Sequence, residues 1–153
     1  KTPQILSDDE IMSAAKEAKQ KGVPNFGIVY SGKKVSQTEL DRLITLTERI
    51  KSELSMGICM SLGIVSDENM QRLADAGVVR FNHNLETSER HFAQGVTTHE
   101  YKDRIKTIEA GLKAGMGVWA GGIFGIGETR CAGQQESKQP FAVAKHQTGE
   151  SCC

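Results

Sequence analysis

The sequence predicts an α/β fold in which parallel strands alternate with helices, forming one part of a (βα) barrel. Four short apolar runs begin near residues 26, 57, 78 and 117, and a segment with helical periodicity precedes each of them. Strands that are each reached through a helix run parallel in one sheet. A closed barrel of this type needs eight strands, so four strands predict a partial barrel.

Three of the predicted helices begin at a capping box, in which Ser or Thr is followed three residues later by Glu. The boxes are Ser7 to Glu10, Ser36 to Glu39 and Thr97 to Glu100, and a shorter helix begins at Ser66 and ends at Gly77. Apolar residues then recur at helical spacing, which predicts the buried faces. In chain order these faces are Ile11, Ala14, Ala15 and Ala18; Leu40, Leu43, Ile50 and Leu54; Met70, Leu73 and Ala74; and Tyr101, Ile105, Ile108 and Leu112.

The chain divides into two parts. The strands are predicted at 25–32, 57–63, 78–82 and 117–129, and the last of them ends in a glycine-rich loop, so the barrel segment covers residues 1–129. Residues 130–153 show no helical or strand period, and their only large apolar residues are Phe141 and Val143. This composition predicts a disordered tail, or a frameshifted or artificial end.

Composition excludes several kinds of partner. The chain of 153 residues has 19 basic and 19 acidic side chains, so nothing in its balance of charge indicates a nucleic acid or an anionic membrane. No apolar run approaches the roughly 18 residues of a membrane span, and the first residues are polar, so we expect a cytosolic protein. The chain begins at Lys1 rather than Met, which indicates a piece of a longer chain.

The stretch RFNHNLETS, residues 80–88, places polar side chains where a strand ends. Side chains alternate along a strand, so Asn82, Asn84 and Glu86 share one face while His83 points to the other and is expected to pack. A buried polar group without a partner costs about 1–3 kcal/mol, which favours a ligand-facing row. Barrel enzymes keep their sites at this end of the strands. The alternative is a polar strand end that only caps a loop.

Four stretches together resemble biotin synthase, a radical S-adenosylmethionine enzyme. They are GICMSLGIVSDENMQRLADAGV, RFNHNLETS, TTHEYKDRIKTIEAGLKAGM and GGIFGIGET. The resemblance implies a barrel enzyme that inserts sulfur between two unactivated carbons of dethiobiotin. It also implies S-adenosylmethionine, a [4Fe–4S] cluster, an auxiliary iron–sulfur cluster, a reducing electron donor and a homodimer.

The resemblance assigns roles to particular residues. Asn82 would bind the ureido ring of a dethiobiotin-like substrate, and Asn84 and Glu86 the ribose hydroxyls of S-adenosylmethionine. Arg104 would bind the carboxylate of that cofactor; alternatively, it is an exposed helix residue paired with Glu100. Four residues of GGIFGIGE would lie beside the adenine, unless they form only a loose turn: Gly121, Ile123, Gly125 and Glu128.

The chain departs from the family at both clusters. It has no C-x-x-x-C-x-x-C motif for the [4Fe–4S] cluster, so we expect this chain to be inactive on its own. Cys59 matches one cysteine of the auxiliary [2Fe–2S] cluster, but Gly27 and Trp119 stand at two other ligand positions. Neither cluster is therefore expected to assemble here, and Cys59 is either a metal ligand or a buried core thiol.

Two rival interpretations remain open. The first is another radical S-adenosylmethionine enzyme, of the kind that matures hydrogenase or isomerises lysine; Gly27 and Trp119 favour it, whereas NHNLETS favours biotin synthase. The second is a non-functional truncated or frameshifted product, which the unpatterned tail favours.

Overall fold

Helices and strands alternate in the computed structural model, which describes residues 6–32, 34–86 and 101–122. The elements are α1 (Asp8–Gln20), β1 (Asn25–Val29), α2 (Gln37–Leu54), β2 (Gly57–Ser61), α3 (Asp67–Ala76), β3 (Val78–Asn82), α4 (Tyr101–Lys113) and β4 (Gly117–Trp119). The strands end two to three residues earlier than predicted in β1 and β2. The predicted tail, residues 130–153, lies outside the described ranges.

The helix starts follow the capping residues. The Ser7 hydroxyl accepts from the Glu10 N–H, and the Glu10 carboxylate accepts from the Ser7 N–H at 2.7 Å, which completes the first predicted box. In α2 the Ser36 hydroxyl accepts from the Glu39 N–H at 3.2 Å. The predicted second half of that box is wrong, because the Glu39 carboxylate binds Arg42 at 2.7 Å instead.

The third helix begins and ends as predicted: the Ser66 hydroxyl accepts from the Asn69 N–H, and Gly77 ends the helix at φ +113°. Only a residue without a Cβ adopts that angle at little cost. The box from Thr97 to Glu100 lies outside the described residues.

The four strands form one parallel sheet in the order β1-β2-β3-β4, as the alternation predicted. One row of register partners runs across it through Gly27, Cys59, Arg80 and Gly117. In the neighbouring rows towards the carboxyl ends, Val29 pairs with Ser61 and Asn82 pairs with Trp119. Because the same register continues beyond the strands, the polar residues that follow β3 lie beside the residues that follow β4.

The core lies on one face of the sheet. Strand residues Ile58, Met60 and Phe81 are fully buried there, together with the helix residues Ile50 and Leu73. Among the described residues, the side chains on the other face of the sheet are more exposed. In β1, for example, Ile28 on the core face is 8% exposed, whereas its neighbour Val29 is 78% exposed. A second, smaller cluster of Leu85, Tyr101 and Ile108 holds α4.

Two predicted core positions are wrong. Ala14 and Leu112 are exposed, and Met12, which was not predicted, is buried. In α4 the cause is a close contact: a Cβ on Gly111 would come within 2.8 Å of the Val118 side chain, so the helix rests on β4 through its smallest residue and turns Leu112 outward. Among the helices that the structure describes, none is long and apolar enough to cross a bilayer.

Candidate functional site

A cavity of about 190 Å³ lies at the carboxyl ends of β1, β2 and β3, where the alternation placed the site. The side chains that border it include Tyr30, Ser61, His83, Asn84, Glu86 and Arg104. Three of these were predicted as cofactor ligands, and the structure brings them together. Tyr30 and Ser61 were not predicted as site residues, although each lies at a predicted strand end.

A wider depression of about 710 Å³ lies at the opposite end of the sheet. It is bordered by the carboxyl ends of three helices, at Ser55, Gly77 and Gly115, and its only ionisable side chain among the described residues is Lys51. One lysine beside apolar side chains offers no acid–base pair and few convergent polar groups. We therefore place the candidate site at the carboxyl ends of the strands.

Asn84 is held by the end of β4. The Gly121 N–H donates to Asn84 Oδ1 at 3.2 Å, and the Leu85 N–H donates to the Gly121 carbonyl at 2.8 Å. A Cβ on Gly121 would lie only 3.1 Å from Asn84 Oδ1, so a side chain here would displace the amide by a few tenths of an ångström. The resemblance predicts that Gly121 lies beside the cofactor's adenine, and in the structure its N–H orients Asn84.

Arg104 reaches from α4 to the end of β3. Its Nη1 donates to the Asn84 carbonyl and lies 3.4 Å from Glu86 Oε1. Its side chain is 13% exposed, so the alternative of an exposed helix residue is wrong; Glu100 lies outside the described residues. Burial lowers the pKa of Arg104, and the Glu86 carboxylate offsets part of that change.

Glu86 has an unusual backbone. It adopts φ +70°, which costs a residue with a Cβ about 1–2 kcal/mol, and it forms an isolated parallel bridge with Gly122. Such strain is retained mainly where a site needs it. The turn leaves Glu86 bordering the cavity with its side chain 35% exposed, as an acceptor beside the more deeply buried side chain of Arg104.

Asn82 lies one step deeper on the same strand. Its Oδ1 is buried and has no hydrogen-bond partner among the described residues. An unsatisfied buried acceptor is costly, so the position fits a ligand with an N–H donor. His83 is buried near Phe81, which agrees with its predicted packing, but it also borders the cavity. Of the other predicted ligands, Ile123, Gly125 and Glu128 lie outside the described residues.

The row of the sheet around Cys59 does not fit an iron–sulfur cluster. The register partners of Cys59 are Gly27 and Arg80, and Trp119 stands in the next row beside Asn82. Thiolates hold such clusters, and this row offers one. In the part of the chain that the structure describes, no three His, Cys, Asp or Glu side chains are grouped as metal ligands. Cys59 itself is partly buried rather than a core residue.

Comparison with known proteins identifies the family. The family profile described as the Radical SAM superfamily matches residues 1–133. The chain belongs to this superfamily. SAM abbreviates S-adenosylmethionine, and the match agrees with a cavity at the carboxyl ends of the strands that offers a carboxylate, a guanidinium and an amide.

The most similar radical SAM relatives include curated proteins named biotin synthase, which confirms the predicted resemblance. The chain is 43% identical over 129 residues to that of Heliobacterium modesticaldum, covering 84% of this chain and 40% of the relative. It is 40% identical over 139 residues to that of Clostridioides difficile, covering 91% and 42%. The chain therefore spans about two fifths of the length of these relatives.

Solved structures support the fold. A methylornithine synthase matches with a TM-score of 0.76 at 17% identity, over 86% of this chain and 39% of that one. A maturase of the FeFe-hydrogenase from Carboxydothermus hydrogenoformans matches with a TM-score of 0.70 at 19% identity, over 82% and 30%. At these identities the likeness shows the fold alone: the segment is folded as part of such a barrel.

Proposed function

We propose that this chain is part of a biotin-synthase-like radical SAM enzyme, and that its cavity binds S-adenosylmethionine. The observation that carries the proposal is the Glu86–Arg104 pair beside Asn84, at 3.4 Å between Arg104 Nη1 and Glu86 Oε1. It sets a charged donor and a charged acceptor side by side at the ends of the strands. An amino-acid carboxylate and a ribose diol need this combination of partners.

Each residue of the pair has a separate task. The guanidinium of Arg104 presents a fork of N–H donors that matches the carboxylate of the cofactor. The Glu86 carboxylate accepts from the two ribose hydroxyls, and Asn84, oriented by the Gly121 N–H, stands beside it. Ile123, Gly125 and Glu128, outside the described residues, belong to the same proposal as the contacts with the adenine.

The chemistry of the intact enzyme needs more than this segment. When bound, S-adenosylmethionine and the [4Fe–4S] cluster supply the one-electron chemistry that opens unactivated C–H bonds. The chain contains four cysteines and none of them forms a C-x-x-x-C-x-x-C motif, so we place no ligand of that cluster on it. What these residues contribute is binding, orientation and the exclusion of water around the cofactor.

The substrate lies beside Asn82 in this proposal. The buried Oδ1 of Asn82 accepts from an N–H of a cyclic urea, as in dethiobiotin, and the amide of the same side chain donates to the urea oxygen. Sulfur insertion would turn this ring into the bicyclic product, biotin. The predicted electron donor and homodimer belong to the same proposal.

A second candidate is a radical SAM enzyme with another substrate, such as those that mature hydrogenase or isomerise lysine. Gly27 and Trp119, where auxiliary-cluster cysteines were expected, favour it. The identity of 43% to a biotin synthase favours the first candidate. Binding of dethiobiotin in the presence of S-adenosylmethionine would distinguish the two, because only the first requires it.

The test is calorimetric titration of the 153-residue chain with S-adenosylmethionine. Arg104→Gln removes a charged hydrogen bond worth about 1.5–3 kcal/mol, so we expect affinity to fall roughly 10- to 150-fold. Arg49→Gln is the matched control, since Arg49 pairs with Glu53 on the surface of α2. Circular dichroism must show both variants folded. Equal affinity of Arg104→Gln and the unmodified chain would contradict the proposal.

A further inference from the structure

Arg80 and Trp119 form a pair on the open face of the sheet, and no role in the cofactor site accounts for them. The guanidinium carbon of Arg80 lies 5.6 Å from the centroid of the Trp119 ring, within the range of a cation–π contact. Trp119 is 56% exposed, although it is the only tryptophan of the chain. An exposed indole beside a cation, on the face of the sheet that carries Asn82, offers a ligand an apolar contact and a charged contact together.

The backbone is arranged to permit this pair. Arg80 and Gly117 are register partners, and a Cβ built on Gly117 would lie 3.8 Å from Arg80 Cγ and Nε. The Arg80 side chain therefore crosses β4 over a residue that has no side chain of its own. That path leads it to Trp119, two residues further along the same strand.

The pair adjoins the buried amide of Asn82. Asn82 is the register partner of Trp119, and Arg80 lies two residues before Asn82 on the same face, about 6.6 Å away along the strand. Three different groups thus meet in two adjacent rows: a buried acceptor, a flat apolar wall and a cation. They complement a ligand that has an N–H donor, an apolar middle and an anionic end.

We propose that Arg80 and Trp119 bind the carboxylate end and the alkyl chain of the substrate whose urea ring contacts Asn82. This inference rests on the proposed function and deepens it, because it makes the open face of the sheet beside Asn82 a determinant of specificity for acids. It also assigns a binding function to the row of the sheet that contains Arg80 and, as its single thiol, Cys59. In place of an auxiliary cluster, this sheet presents an organic anion site.

Trp119 allows a direct test, because it is the only indole of the chain and its fluorescence can be excited selectively over that of the two tyrosines. The 153-residue chain, saturated with S-adenosylmethionine, is titrated with dethiobiotin and separately with dethiobiotin methyl ester. We expect the acid to change the fluorescence and to bind at least about tenfold more tightly than the ester, since only the acid forms a charged contact. That preference should shrink as salt rises, because salt screens partly exposed charges.

Variants separate binding from folding. Arg80→Gln should bind acid and ester equally, Arg80→Lys should keep a reduced preference for the acid, and Arg49→Gln should behave as the unmodified chain. A purely structural Arg80 would weaken both ligands by the same factor in Arg80→Gln, and that result would overturn the inference. If Arg80→Gln fails to fold, Arg80→Lys and the salt dependence of the unmodified chain decide.

The outcomes also distinguish this inference from the proposed function. Equal binding of acid and ester by the unmodified chain overturns the anion site but leaves dethiobiotin as the substrate. No binding of either, while S-adenosylmethionine binds and responds to Arg104→Gln, overturns both the anion site and the dethiobiotin assignment and leaves the cofactor site. Failure to bind S-adenosylmethionine removes the proposed function itself.

Discussion

At the scale of the residue, the contact between Gly121 and Asn84 leaves little room for a side chain in the candidate site. A Cβ on Gly121 would lie 3.1 Å from Asn84 Oδ1, close enough to push the amide away by a few tenths of an ångström. We expect Gly121→Ala to weaken binding of S-adenosylmethionine roughly three- to tenfold, the loss of about one neutral hydrogen bond. Calorimetric titration of the chain measures this.

Gly27→Ala is the control for that substitution. No atom lies within 4 Å of a Cβ at Gly27, and its φ is not in the left-handed region, so the added methyl meets open space. It should leave the affinity for S-adenosylmethionine unchanged. If both alanine variants bind as tightly as the unmodified chain, Asn84 does not need the orientation that Gly121 provides.

The sequence predicts which site residues belong together but not how they touch. The period of two in a strand predicts that Asn82, Asn84 and Glu86 share one face, and Asn84 and Glu86 do border the cavity. Asn82 is not among the residues that border it, whereas His83, predicted for the other face, is. The contact of Arg104 with the Asn84 carbonyl could not be predicted, because it depends on how α4 packs across the end of β3. The left-handed turn at Glu86, where the alternation ends, leaves no local signal in a residue other than glycine.

At the scale of the element, the capping box of α1 makes the stability of the chain depend on pH. Hydrogen bonds from the Ser7 N–H and hydroxyl hold the pKa of Glu10 below its ordinary value of 4.5. A folded-state pKa below the unfolded one means that the ionised carboxylate stabilises the fold above about pH 4.5. That contribution is lost as the pH falls through the lowered value.

Glu10→Gln tests this dependence. The variant should melt at a lower temperature than the unmodified chain at pH 7, and the difference should shrink as the pH falls below 4.5 through the lowered pKa of Glu10, where the carboxylate of the unmodified chain takes up a proton. Glu48→Gln, on the exposed face of α2, removes the same charge without a cap and should show a smaller difference at pH 7. A gap between Glu10→Gln and the unmodified chain that does not change with pH would contradict the assignment.

The two boxes that look alike in the sequence form differently in the fold. Ser7 and Glu10 close theirs, whereas the Glu39 carboxylate turns to Arg42. Arg42 also binds Asp8 at 2.6 Å and thereby links the starts of α1 and α2. A capping box depends on four consecutive residues and can be predicted from them. A contact between two helices competes for the same carboxylate and can be predicted only from the packed structure.

At the scale of the whole molecule, the buried apolar residues form two separate clusters. The larger one joins α1, α2 and α3 to the sheet and includes Ala110 of α4, and the smaller one, of Leu85, Tyr101 and Ile108, packs the start and middle of α4 against the residues after β3. The period of the helices predicted the buried faces of both clusters for the most part. The division itself depends on how α4 packs: Ala110 faces the larger cluster, whereas Tyr101 and Ile108 face Leu85 beyond the end of β3.

This division predicts that stability and cofactor binding can be separated. Ile108 is 1% exposed and lies on the helix that carries Arg104, whereas Leu46 is 2% exposed and lies on α2, away from the cavity. Either residue changed to alanine should lower the free energy of unfolding by about 2–5 kcal/mol. Only Ile108→Ala should also loosen α4, and we expect it to weaken S-adenosylmethionine roughly fivefold or more.

Urea denaturation measures the stability of both variants, and calorimetric titration measures their affinity under conditions in which each remains folded. The comparison depends on the contrast between them, because any general loss of structure affects both. If Leu46→Ala weakens the cofactor as much as Ile108→Ala does, the two clusters form one cooperative unit, and the position of Arg104 depends on the whole sheet. If Ile108→Ala alone has the effect, the small cluster is what aligns Arg104 with Glu86.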